Sequence, residues 1–346
     1  MPGTSCSVKR RPGAGLHHSE STDMSTHTLP RVRRTAAAAV TAALALALTA
    51  CGGDASGSGQ AKTGGGKVTV TDATGTEVEV PAKPAKVVAL SEMDLDSALA
   101  LGVKPIGLTA GRGQKGAPGY LAGRAGDIPV VGAVTGPDVE KVLRAKPDVI
   151  LAGQLADPKV LQQLKAVAPT VVTIGKDKDW KKALDLTGRV LGKQNEAKTF
   201  LTGYENKAAA LKKKLGPRAG ATVSVARYSA KGTAVMQQGV FISDVLKNLG
   251  FKRPGIQNER GQGHSTPISD EDIQQIDGDW LFIGTLAAKG KDADLFTELK
   301  TKPAYRQLGA VREGHATEID GSKWTSLGGG LAALSVLDDI EKAMAK

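Results

Sequence analysis

Rings are scarce in this chain: Phe, Trp and Tyr together make up 3% of its 346 residues. A core must therefore be packed from Ala, Val, Leu and Ile, and the 40% hydrophobic content suffices for two domains of ordinary size. Cysteine is limited to Cys6 and Cys51. Of the five histidines, His17, His18 and His27 lie near the amino terminus. His264 and His315 alone cannot supply the several His and carboxylate ligands of a direct zinc or manganese site, so no direct metal site is expected. No Gly-x-Ser-x-Gly elbow, HExxH pair or phosphate-binding P-loop occurs, which leaves common hydrolase and nucleotide signatures unfilled.

Long apolar runs are also missing. The run at residues 36–48 is too short and too rich in small residues to span a bilayer. Preceded by Arg31, Arg33 and Arg34, it reads as the core of a secretory signal occupying residues 1–50. Met24 would begin a signal of ordinary length, so residues 1–23 read as an upstream start. The junction Leu48-Thr49-Ala50-Cys51 resembles the bacterial lipobox, which implies that Cys51 is lipidated and becomes the first mature residue. Residues 51–66, rich in Gly and Ser, read as a flexible tether. Stable anchoring takes about two acyl chains, which lipobox processing would supply. The protein is then expected on the extracytoplasmic face of the bacterial cell membrane.

Removing residues 1–50 takes away six Lys/Arg and two Asp/Glu, so the formal charge falls from +11 to +7. Cys6 goes with them, leaving no internal disulfide. The remaining lysines are scattered without interleaved aromatics, so nucleic-acid binding is not expected.

One stretch occurs twice. Residues 137–153 read PDVEKVLRAKPDVILAG, and residues 268–284 read ISDEDIQQIDGDWLFIG. Glu140 precedes Asp148 by the same interval that separates Glu271 from Asp279, and each aspartate opens an apolar run. Each copy reads as a short helix, a tight turn and a buried strand. A unit recurring at this distance predicts two similar lobes with one glutamate in the same place on each.

The rest of the chain agrees. Residues 67–80 alternate apolar and polar about Ala73-Thr74-Gly75 and predict a hairpin. Residues 86–90 predict a buried strand, and Ser91 with Asp94 an approximate capping box on a helix ending at Leu101-Gly102. Further strands are expected at 103–108 and 170–174, a helix at 157–168, and a Gly-rich loop at 109–119. Residues 194–215 predict one long helix, stopped by Gly216-Pro217. Beyond it strands at 222–228, 234–237 and 316–319 and helices at 242–249, 295–301 and 327–344 are expected. The fold class is α/β: two Rossmann-like lobes with parallel-type sheets, joined by one long rigid helix, with a ligand cleft between them. The boundaries are 67–193 for the first lobe, 194–217 for the connecting helix and 218–346 for the second lobe.

The segments VTDATGTEVEVPAKPAKVVAL, PDVEKVLRAKPDVIL, DWKKALDLTGRVLGK and WTSLGGGLAALSVLDDIEKAM, in that order behind a lipobox, resemble the substrate-binding lipoproteins of bacterial ABC importers. The class concerned carries iron–siderophore complexes, haem or cobalamin, and the resemblance covers essentially the whole mature chain. It implies a carrier rather than an enzyme, without a cofactor of its own, and a monomer that delivers its ligand to a membrane permease and, through it, to an ATPase subunit. It also implies that Glu140 and Glu271 are surface carboxylates that dock on permease arginines.

Ligands of open α/β sheets gather at the carboxyl ends of strands. Arg227 and Tyr228 lie at such an end, and an arginine fork suits the oxygens wrapped around iron. Trp324, in the loop before the last helix, and Tyr120, at the end of the Gly-rich loop, are the other expected ligand contacts. Tyr228 suits the core equally well, and His264 suits the edge of the cleft. A ferric siderophore is the expected cargo, with hydroxamate favoured over catecholate because only one cleft arginine is evident. Haem and cobalamin are the alternatives, although cobalamin would want more rings than this chain has. The rival class is an extracytoplasmic hydrolase using Glu140 and Glu271 as an acid/base pair, which would need them within about 10 Å of each other.

Overall fold

The computed structural model describes residues 66–133, 135–261 and 263–345. The signal, Cys51 and all of the tether before Gly66 lie outside the described residues.

The first lobe opens with an antiparallel hairpin that forms a two-stranded sheet of its own, β1 (Lys67–Thr71) and β2 (Glu77–Pro81), with Val70 and Val80 buried in the lobe's core. Its turn is tied by Asp72, whose Oδ1 accepts the N–H groups of Thr74 at 2.8 Å and Thr76 at 3.0 Å. Then follow β3 (Val87–Ala89), α1 (Glu92–Ala100), β4 (Gly107–Ala110), a short α2 (Ala122–Ala125) and β5 (Val130–Ala133). The lobe continues with β6 (Gly136–Pro137), α3 (Val139–Ala145), β7 (Val149–Leu151), α4 (Pro158–Val167) and β8 (Thr170–Val171). The sheet order is β6-β5-β4-β3-β7-β8, parallel except for the edge strand β6. The central strands β3 and β7 are buried at every residue, as expected of parallel strands covered on both faces.

Two helices lead out of this lobe, α5 (Trp180–Val190) and α6 (Gln194–Leu215). α6 has 22 residues, and is thus about 33 Å long. It is not a bare strut. Tyr204, Ala208, Leu211 and Leu215 are buried in a core that also holds Met93 of α1, Trp180 of α5, and residues of the second lobe such as Phe241 and Val336. Packing along its length from both lobes stiffens the connection.

The second lobe contains β9 (Val223–Ser229), β10 (Gly232–Val235), α7 (Phe241–Leu249), β11 (Trp280–Thr285), α8 (Lys291–Leu299), α9 (Pro303–Arg306) and α10 (Gly309–Arg312). It closes with β12 (Ala316–Asp320), α11 (Gly321–Trp324) and α12 (Gly330–Met344). The sheet order is β10-β9-β11-β12, parallel except for β10. The fold is a two-lobed α/β structure on a connecting helix.

The repeated stretch has a structural cause. Asp148 accepts the N–H groups of Ala85 and Lys86, each at 2.9 Å, and so pins the entrance of β3. Asp279 accepts the N–H of Thr222 at 2.7 Å and pins the entrance of β9. Val142 and Ile273, at equivalent positions, are both 0% exposed and anchor the preceding turn in the core. The copies differ between these points. The first is the α-helix α3; the second shortens to a 3₁₀ turn, Ile273–Ile276. Asp277 and Gly278 replace the Lys-Pro of the first copy, and the Asp277 carboxylate turns aside to accept the N–H groups of Gly309 at 2.6 Å and Ala310 at 3.1 Å.

Candidate functional site

A cavity of about 610 Å³ lies between the lobes, at the carboxyl ends of β4 and β9. The first lobe contributes Arg112 and Gln114 from the loop after β4, together with Gln154 and Lys178. The second lobe contributes Arg227 from β9, His264, Leu286 after β11, and the Thr325–Ser326–Leu327 segment. Both lobes thus present cationic groups to one space, and the first adds the amides of Gln114 and Gln154.

Arg227 is half-buried, and its guanidinium donates to the carbonyl of Thr325 at 3.2 Å. Burial, and then the neighbouring Arg112 charge, pull its pKa below the usual arginine value, while Glu92 acts in the opposite sense. Arg112 is held from behind by Glu92, a residue only 3% exposed, which forms an ion pair with its guanidinium and accepts its backbone N–H at 2.6 Å. The Gln114 amide crosses the mouth of the cavity to donate to the carbonyl of Leu286 at 2.6 Å. His264 is exposed at the rim, and its Nδ1 lies 2.9 Å from the carbonyl of Ser265; with a proton on that nitrogen, Nε2 is left as an acceptor.

Of the expected contacts, Arg227 reaches the cavity and the aromatic residues do not offer it their faces. Tyr228 follows Arg227 on β9, so alternation sends it to the other side of the sheet, where it is 6% exposed against Phe296. Tyr120 is absent from the lining and donates its hydroxyl to Asp96 at 2.9 Å. Trp324 borders the cavity yet is 0% exposed. Its ring stacks on Phe282 with centroids 4.6 Å apart, and its Nε1 donates to Asp339 at 2.8 Å. It supports the floor of the cavity instead of forming a wall.

Glu140 and Glu271 lie outside the lining, and both are exposed. Glu140 stands on the outer face of α3 with its side chain 86% exposed, 3.7 Å from Arg144. Among the described residues no three His, Cys, Asp or Glu side chains converge on a common metal position, and no helix is long and apolar enough to cross a membrane.

Arg112, Lys178 and Gln114 were not singled out from the sequence. Arg112 and Gln114 sit in the Gly-rich loop 109–119, and that loop leaves the carboxyl end of a parallel strand, the same signal that pointed to Arg227. Glu92 carries no such signal, since a first-turn glutamate is ordinary helix chemistry.

The chain is 34% identical over 271 residues to the probable siderophore-binding lipoprotein YfiY of Bacillus subtilis, covering 76% of this chain and 83% of that one. It is 27% identical over 270 residues to the achromobactin-binding periplasmic protein of Dickeya dadantii, covering 75% and 86%. The crystal structure of Staphylococcus aureus SirA complexed with staphyloferrin B superimposes with a TM-score of 0.69 at 29% identity, over 80% of this chain and 98% of that one. Residues 87–322, from β3 into α11, match the family model for periplasmic binding proteins. With a two-lobed fold, an interlobe cavity and that match over most of its length, this chain belongs to the periplasmic binding protein family.

Proposed function

We propose that this chain is the extracytoplasmic, lipid-anchored binding component of an ABC importer, and that it captures a ferric siderophore between its lobes. The observation that carries this reading is the convergence of Arg112 and Arg227, one from each lobe, on a single cavity. Two guanidinium forks facing one space suit a rigid complex whose surface is studded with anionic oxygens. The names of the relatives, a siderophore-binding lipoprotein and an achromobactin-binding protein, support the same class of cargo.

The preference for hydroxamate rested on a single cleft arginine. With Arg112 beside Arg227 and Lys178 on the same lining, that premise no longer holds, and a chelate bearing net negative charge fits better. Haem and cobalamin find less support, because Trp324 is the one aromatic among the lining residues and its faces are covered. A carrier is favoured over a hydrolase, since Glu140 and Glu271 stand on separate lobes outside the cavity. They suit a docking role, each on a rigid lobe, toward a permease that passes the ligand on with the help of its ATPase. Cys51 is the proposed point of lipid attachment.

The test is a fluorescence titration of the mature chain with ferric citrate, a ferric tris-catecholate and a ferric trihydroxamate, with Trp324 beside the cavity as the reporter. Saturable quenching by at least one chelate is expected, and Arg227→Ala should weaken it by roughly ten- to a hundredfold, as loss of a charge-assisted pair implies. Absence of binding to all ferric chelates would overturn the reading.

A further inference from the structure

The group that ties the cavity's cations to both lobes is a carboxylate behind the wall. Glu92 opens α1 and is 3% exposed. One carboxylate oxygen accepts the Arg112 N–H at 2.6 Å. The other accepts the Arg112 guanidinium, the Ser326 hydroxyl at 2.8 Å and the Leu327 N–H at 3.4 Å. Arg112 belongs to the first lobe and Ser326 and Leu327 to the second, and all three line the cavity.

Glu92 therefore does two things at one point. It fixes where Arg112 can place its guanidinium, and it sets a negative charge among two positive ones in a region shielded from water, where charges act strongly on one another. The influence reaches Arg227, on which Glu92 and Arg112 act in opposite senses. With two guanidiniums and one carboxylate the group carries a single net positive charge; without the carboxylate it would carry two. Chelates of different net charge feel that difference unequally.

We infer that Glu92 is a specificity-determining residue: by holding Arg112 and offsetting its charge, it limits how strongly the site prefers the most anionic chelates. The inference rests on the reading that the cavity takes ferric chelates. Its test compares wild type, Glu92→Gln and Arg112→Gln in the mature chain at low salt. The probes are a neutral ferric trihydroxamate, a trianionic ferric tris-catecholate and iron-free citrate. Glu92→Gln should raise the preference for the trianion over the neutral chelate by about tenfold. Arg112→Gln should shift the preference the other way by a similar factor; because Arg112 is partly exposed, that variant tests the idea even where Glu92→Gln fails to fold.

A purely structural glutamate would lower both affinities together, so an unchanged preference in Glu92→Gln or in Arg112→Gln overturns the inference. If no ferric chelate binds but citrate binds Glu92→Gln more tightly than wild type, the siderophore reading falls and the role of Glu92 stands. If no probe binds any form, the cavity is not an anion site and the inference falls with it.

Discussion

The carboxylate of Asp96, on α1 of the first lobe, accepts the backbone N–H of Leu331 at 2.8 Å, in the first turn of α12 of the second. It also accepts the N–H of Ala332 at 3.0 Å. The last helix lacks a side-chain cap of its own, its N-cap being Gly329, so a carboxylate from the other lobe satisfies its free N–H groups. Tyr120 completes the arrangement by donating to the same carboxylate. Asp96→Ala should therefore destabilise the mature chain by about 2 kcal/mol, the upper end for loss of a helix cap. A denaturant titration measures it, and a loss under a few tenths of that would contradict the assignment.

The same residue shapes the response to pH. Burial raises the pKa of Asp96 to about 6, and that of Asp94 likewise to about 6, against an ordinary 3.8. Since these pKa values are higher folded than unfolded, the folded state keeps its protons where the unfolded state has lost them. The contribution of each group to stability is thus fully present below pH 3.8 and declines as pH rises through about 6. By linkage it amounts to about 3 kcal/mol per group. Asp94→Asn with Asp96→Asn should flatten this part of the stability profile between about pH 4 and 6, measured by denaturant midpoints. An unaltered profile would show that other groups set it.

The paired aspartates Asp148 and Asp279 make a prediction about the repeat. Each replaces missing partners at the start of a neighbouring parallel strand, Asp148 for two N–H groups and Asp279 for one. Asp148→Ala should cost more than Asp279→Ala, with about 1 kcal/mol lost per orphaned hydrogen bond. Equilibrium unfolding of the two variants ranks them, and the reverse order would refute the parallel.

Trp324 separates support from contact. Trp324→Phe keeps a ring over Phe282 and loses the hydrogen bond to Asp339. Stability should drop by about 1–2 kcal/mol, while chelate affinity stays within about twofold of wild type. Calorimetry, which needs no tryptophan signal, reads both. A large loss of affinity at unchanged stability would put the indole back among the ligand contacts.

On the proposed docking role, Glu140 and Glu271 would act in delivery alone. With both replaced by alanine, affinity should remain within about twofold, because neither lines the cavity, whereas importer-dependent iron uptake by cells should fall to background. Loss of affinity with uptake in proportion would mean that the residues serve the ligand.

Much of the architecture was legible in the chain because it is written in local terms. The apolar runs of β7 and β11, the Ser91 cap, the Gly216-Pro217 stop and the uninterrupted periodicity of α6 each lie within a few residues of what they specify. The reading faltered where two local solutions share one pattern, as at Ile273–Ile276, where Asp277 and Gly278 favour a 3₁₀ turn over the α-helix of the first copy. The place of Arg227 beside the cavity was legible as well, since it lies at the carboxyl end of a strand in an open α/β sheet. The aromatic contacts were not. Tyr120 and Trp324 are placed by partners distant in the sequence, and Tyr228 by the face of β9 on which it falls. By itself the sequence determined two lobes, a long connecting helix and one arginine at a strand end. Only the tertiary structure decided that Arg112 joins Arg227 and that Glu92 stands behind them with Ser326, because a charge cluster assembled from segments 234 residues apart leaves no periodic trace in the chain.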